Sequence, residues 1–193
     1  MQKTILILAI ALGSLLLPKA AHAQDTNPIP VVPQTRLEAL GTNVGTIIVR
    51  ATSPVGTVAA SGGALTVKCK DFTDAGTGRR EMGLSIDFIL GNEREDVLLI
   101  DYNEITPFLS AIDYLSNVGW SVTSFPIFDA SFTTRGGFRL AAFGGRRSGA
   151  IEYTARTIHY NVAPLQLSLD QMAQLRALVA QGKATLDGIR AAK

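Results

Sequence analysis

Apolar and polar residues alternate with a period of two along much of the chain. The alternation is clearest over Arg80–Leu90, where Met82, Leu84, Ile86 and Phe88 fall on one face and Glu81, Ser85 and Asp87 on the other. Such a pattern predicts a half-buried strand. Similar runs bounded by Gly, Pro or Asn predict strands over 46–50, 65–71, 128–134, 138–143, 151–156 and 165–167, with 55–60 continuing the first beyond Pro54 as an edge. The run 97–100 is apolar at every position and predicts a strand covered on both faces. Two segments switch to helical spacing. Ile105, Phe108, Leu109, Ile112 and Leu115 form one stripe, and Met172, Leu175, Val179, Leu186 and Ile189 form another. Ser168 and Gln171 have the spacing of a capping box, as do Asp101 and Glu104 with Asp in the cap position. Pro107 leaves the start of the first helix open between 101 and 103, because a ring without an N–H is tolerated only near a helix start.

Laid side by side, Leu98-Leu99-Ile100-Asp101-Tyr102-Asn103-Glu104 and Leu165-Gln166-Leu167-Ser168-Leu169-Asp170-Gln171 both run strand, cap, two residues, Glu or Gln, helix. The expected fold class is therefore α+β: two β-β-β-β-α repeats in one domain, with antiparallel sheets and helices packed on them. The repeats span 45–118 and 122–191 of a domain over 45–193, preceded by a Pro-rich tail or linker over 24–44 that carries Pro28, Pro30 and Pro33. This element order resembles that of the Whirly and PUR-type single-stranded nucleic-acid-binding proteins, in order alone and in no diagnostic motif. That resemblance implies a concave sheet with exposed aromatics among basic side chains. The stretches 100–105 with 111–115, and 167–171 with Leu175-Arg176, are similar to small exported bacterial proteins of an uncharacterised family. This second resemblance covers residues 64 to 190 and implies a fold, with no activity attached.

The first 23 residues read as a secretory signal peptide. Lys3 supplies the positive start, 5–17 an apolar run, Pro18 a breaker and Ala21-His22-Ala23 a small-x-small cleavage site. The apolar run falls short of the roughly 20 residues that cross a bilayer, so cleavage after Ala23 and a periplasmic or secreted product without a membrane span are expected. Lys3 and Lys19 are the only basic residues of the leader. The remainder thus carries 16 of the 18 basic side chains against all 16 acidic ones, and the net charge of +2 disappears. A neutral balance gives no global pull toward nucleic acid or anionic lipid. With 47% apolar residues, the chain can bury a core without disulfides or metal.

Reactive groups are sparse. Cys69 shares a strand face with Leu65 and Val67 and reads as a buried apolar residue, with a reactive thiol or an intermolecular disulfide as the alternatives. His159 is the one histidine after the leader. A Cys69–His159 nucleophile pair would need the fold to bring them together, and otherwise His159 is structural. No Cys-x-x-Cys, His-x-x-x-His, Gly-x-Ser-x-Gly or phosphate-binding Gly-rich loop is present, so no cofactor, metal or catalytic residue is assigned. Glu93, Glu95 and Asp96 form an acidic turn without calcium-loop spacing. Gly62-Gly63, Gly136-Gly137 and Gly144-Gly145 sit between strands and read as turns supplying positive φ.

The candidate polyanion-binding set is Arg135, Arg139, Arg146, Arg147 and Arg156, with Phe138, Phe143 and Tyr153 interleaved as candidate aromatic contacts. The competing reading is a solvated outer face with Arg guarding the sheet edges, since Asp129 and Glu152 dilute the charge. Together these point to an exported, non-enzymatic binding or interaction module. An anionic polymer or envelope component is the available partner, and self-association through sheet edges is a further expectation. Alternatives are Whirly-like binding of single-stranded nucleic acid and a hydrolase with an unrecognised site.

Overall fold

A computed structural model describes residues 34–90, 93–159 and 163–192. The expected leader and most of the Pro-rich tail lie outside the described residues. Four strands, β1 (Ile48–Ala60), β2 (Gly63–Asp74), β3 (Arg80–Leu90) and β4 (Glu93–Asp101), form one antiparallel sheet in chain order. The helix α2 (Tyr102–Asn117) and a 3₁₀ turn (Trp120–Val122) follow. A second sheet then repeats the plan with β5 (Ile127–Thr133), β6 (Phe138–Gly145), β7 (Ala150–Thr157) and β8 (Leu165–Leu167), closed by α3 (Leu169–Ala191). The α+β repeat architecture is thus present. No helix of the described residues is long and apolar enough to cross a membrane.

Alternation decides which face is buried. Leu65, Val67 and Cys69 of β2 stand opposite Phe88, Ile86 and Leu84 of β3, and the last two stand opposite Leu98 and Ile100 of β4. These rows join the expected stripes of α2 and α3 and the inward residues of the second sheet, among them Phe138, Leu140 and Ala155, in a single core. Each fully buried large side chain in it contributes about 1.5–3 kcal/mol. The helix α2 packs on β3 and β4 of the first sheet and on β5 and β6 of the second, while α3 crosses β1, β2 and β3 and touches β8. Ile189, expected on the α3 stripe, is 37% exposed because it lies in the last turns of the helix, beyond the buried span that ends at Leu186. The strand β1 runs unbroken through Pro54 as an edge, with a bulge between Pro54 and Gly56. Proline is tolerated there because an edge strand leaves N–H groups unpaired, and both features blunt that edge against further pairing.

Part of the span expected as a tail up to residue 44 belongs to the folded body. Thr35 caps a short helix, α1 (Arg36–Gly41), through a Thr-x-x-Glu capping box with Glu38. Leu37 and Leu40 bury themselves against Phe72, with Ile48 and Leu99 alongside, on the face of the first sheet away from α2 and α3. The capping box expected at Ser168 and Gln171 is formed. The one expected at Asp101 and Glu104 is not. Asp101 precedes α2, but its carboxylate accepts from Arg36 N–H at 2.9 Å and Leu37 N–H at 3.2 Å, capping α1 instead. The four N–H groups at the start of any helix lack intrahelical partners, so a carboxylate serves whichever helix start it faces. Of the glycine pairs, Gly62 and Gly137 carry the positive φ expected of turns. Gly144 and Gly145 lie within β6; the Phe128 ring fills the space where a Gly144 side chain would sit, and the turn uses Gly149 at φ 67°.

Candidate functional site

The five arginines proposed from sequence do not form one patch. Arg139 and Arg156 stand directly opposite each other on the outer face of the second sheet, where Arg139 pairs with Asp129 at 3.2 Å. Arg147 is exposed in the β6–β7 turn. Arg146 is turned into structure: its guanidinium donates to the carbonyls of Trp120, Thr123 and Phe125 and pins the segment that leads into β5. Arg135 lies against the first sheet, with its guanidinium 3.8 Å from Asp101.

The aromatic set divides in the same way. Phe138 is fully buried, edge-on to Phe108 at 5.6 Å between ring centres, and Tyr153 is buried in the same core. Consecutive strand residues point to opposite faces, so Phe138 cannot share a surface with Arg139, nor Tyr153 with Arg156. Phe143 does share the outer face and is 45% exposed. Its cross-strand neighbours are Asp129 and Glu152, which leave two arginines and two carboxylates on that face.

Three other arginines are brought together that sequence spacing does not connect. Arg36 on α1, Arg80 at the start of β3 and Arg190 near the end of α3 line a cleft of about 600 Å³. Glu81, Met82, Asp101, Tyr102 and Asn103 complete its wall. Arg80 is fixed by a two-pronged contact with Asp71, one arm at 2.6 Å. Arg190 lies 4.1 Å over the Tyr102 ring, and that ring is held by its hydroxyl, which donates to Asp187. Lys183, 2.8 Å from Asp187, together with the Tyr102 hydroxyl holds that carboxyl below the ordinary aspartate value. Neither Arg36 nor Arg190 donates a hydrogen bond from its guanidinium to any acceptor among the described residues. Asp101 lines the cleft, but both its oxygens accept from the α1 backbone.

Beside the cleft, Glu104 is buried with one oxygen accepting from Arg135 N–H at 2.8 Å and the other without a partner. Burial pushes its carboxyl above the ordinary glutamate value, the Asp101 charge adds to this, and the Arg135 N–H and charge oppose it. The folded state therefore keeps this proton to a higher pH than the unfolded chain does. Stability falls as pH rises from the ordinary glutamate range through the raised value. Glu104→Gln is expected to raise stability by on the order of 1 kcal/mol at neutral pH and to change little below about pH 4, where both states are protonated. Urea unfolding at the two pH values checks this, and a variant weaker at both contradicts it.

Cys69 is buried beneath α3 with its thiol toward the Gly182 carbonyl, and desolvation raises its pKa. His159 lies elsewhere, its Nδ1 3.0 Å from Asp96, which also accepts from the Thr157 hydroxyl at 2.6 Å. The two residues form no pair, and the Asp96 contacts tie the end of β7 to β4. The Glu93 and Glu95 side chains of the acidic turn lie outside the described residues. Among the described residues no group of three His, Cys, Asp or Glu side chains is placed to hold a metal ion. Comparison with known proteins finds no matching family model, no matching curated protein and no matching solved structure.

Proposed function

We propose that this chain is an exported, non-enzymatic binding protein that holds an anionic ligand in the cleft lined by Arg36, Arg80 and Arg190. The observation that carries the reading is the pair Arg36 and Arg190, two guanidinium groups with unspent donors on one concave wall. Guanidinium donors match carboxylate and phosphate oxygens in a paired, planar geometry. The third arginine, already neutralised by Asp71, holds the wall in shape. The leader-like start of the chain supports export. Inorganic phosphate is expected to raise the melting temperature with the logarithm of its concentration above Kd, by about 1.4 kcal/mol of stabilisation at ten times its Kd. The double variant Arg36→Ala/Arg190→Ala should lose that response while remaining folded, since neither guanidinium donates a hydrogen bond to the rest of the fold and Arg190 gives up only its contact with the exposed side of the Tyr102 ring and its attraction to Asp187. An equal response from both proteins contradicts the reading.

A second reading, a polyanion or single strand on the outer face of the second sheet, is favoured by the opposition of Arg139 and Arg156 and the exposure of Phe143. Asp129 and Glu152 on the same face weigh against it. It requires salt-sensitive association with heparin or an oligonucleotide that Arg156→Ala weakens.

A further inference from the structure

We infer that the ligand of this cleft is an acidic sugar, a polyhydroxylated ring carrying one carboxylate. The inference rests on the anion reading and adds the ligand's chemical class. A cleft of about 600 Å³, open to solvent along Arg36, Asn103 and Arg190, has room for a small organic molecule and is far larger than a bare oxyanion needs. Its wall is also chemically mixed. Arg36 and Arg190 suit the acid group. Glu81 gives one oxygen to Arg79 at 3.2 Å, which leaves its carboxylate with further acceptor capacity. Asn103 is exposed, and its side-chain amide makes no hydrogen bond among the described residues.

A carboxylate in the wall repels a compact anion but accepts strongly from a hydroxyl. A free amide donates and accepts, which suits alternating hydroxyl groups. Met82 adds apolar atoms to the wall for the C–H edges of a pyranose, while the Tyr102 ring is covered by Arg190 and Lys183 and serves to hold the Arg190 guanidinium in place. A ligand with an acid at one end and hydroxyls along its length satisfies all of these groups at once, whereas phosphate satisfies the arginines alone.

Calorimetric titration of the protein with glucuronate, glucose and inorganic phosphate tests this. Glucuronate is expected to bind saturably and at least tenfold more tightly than either of the others. Arg36→Ala and Arg190→Ala should each weaken it about tenfold. Glu81→Ala should weaken glucuronate at least threefold while tightening phosphate, a reversal of sign that a loss of folding cannot mimic. Phosphate binding as tightly as glucuronate, with both sensitive to the arginine variants, overturns the sugar assignment and leaves the anion cleft standing. Glucuronate and phosphate both failing to saturate, or binding unchanged in Arg36→Ala and Arg190→Ala, overturns both. Tetragalacturonate binding more tightly than galacturonate identifies the end of an acidic glycan as the source, and equal binding identifies the free sugar.

Discussion

Phe108→Ala is expected to destabilise the protein by about 3–5 kcal/mol, a large share of the 5–15 kcal/mol that holds a typical domain together. Phe108 is fully buried on α2 and meets two rings of the second sheet, Phe132 stacked at 6.0 Å and Phe138 edge-on at 5.6 Å. Its helix also packs on the first sheet. The cavity left by the ring therefore opens in the part of the core that both repeats share, and neither sheet can close it by moving alone. Urea unfolding followed by tryptophan fluorescence and far-ultraviolet circular dichroism should give coincident, earlier transitions. A loss below about 1 kcal/mol, or two separate transitions in the parent protein, contradicts a common core.

Gly136→Ala is the second large effect, expected at about 3 kcal/mol. A methyl group at Gly136 would overlap the backbone of Leu99, which is held in register opposite Ser85 in the first sheet. Overpacking against backbone that cannot yield costs about 1–3 kcal/mol. The same displacement lifts Arg135 N–H from Glu104 and leaves that carboxylate with no partner, which adds a further 1–3 kcal/mol or so. Gly45→Ala is the control, because Gly45 has φ 78° and open space around it; it should lose only about 1–2 kcal/mol, from backbone conformation. Thermal unfolding of the two variants separates the cases, and equal losses would mean that the β5–β6 turn does not brace the first sheet.

The strand pattern made the fold legible because the core follows it: β3 and β8 coincide with the expected spans, Cys69 is on the expected face, and Ser168 caps α3 as its spacing requires. Helix α1 escaped recognition as part of the body because six residues hold too little periodicity to show a face, although Thr35 and Glu38 carry the capping-box signal. Spacing located the Asp101 cap but could not say which helix start its carboxylate would meet. The separation of Phe138 and Tyr153 from the arginines was available in the pleat, which alternates faces at every residue. The cleft was not available at all. Arg36, Arg80 and Arg190 come from α1, β3 and α3, and only tertiary packing makes them neighbours.

The arginine side-chain Nε–H signals of the labelled protein, followed during titration with inorganic phosphate, test the binding cleft most directly. The cleft predicts saturable shifts of Arg36 and Arg190 while Arg139 and Arg156 stay in place. Shifts concentrated at Arg139 and Arg156, or a uniform unsaturating drift of every arginine, would contradict it.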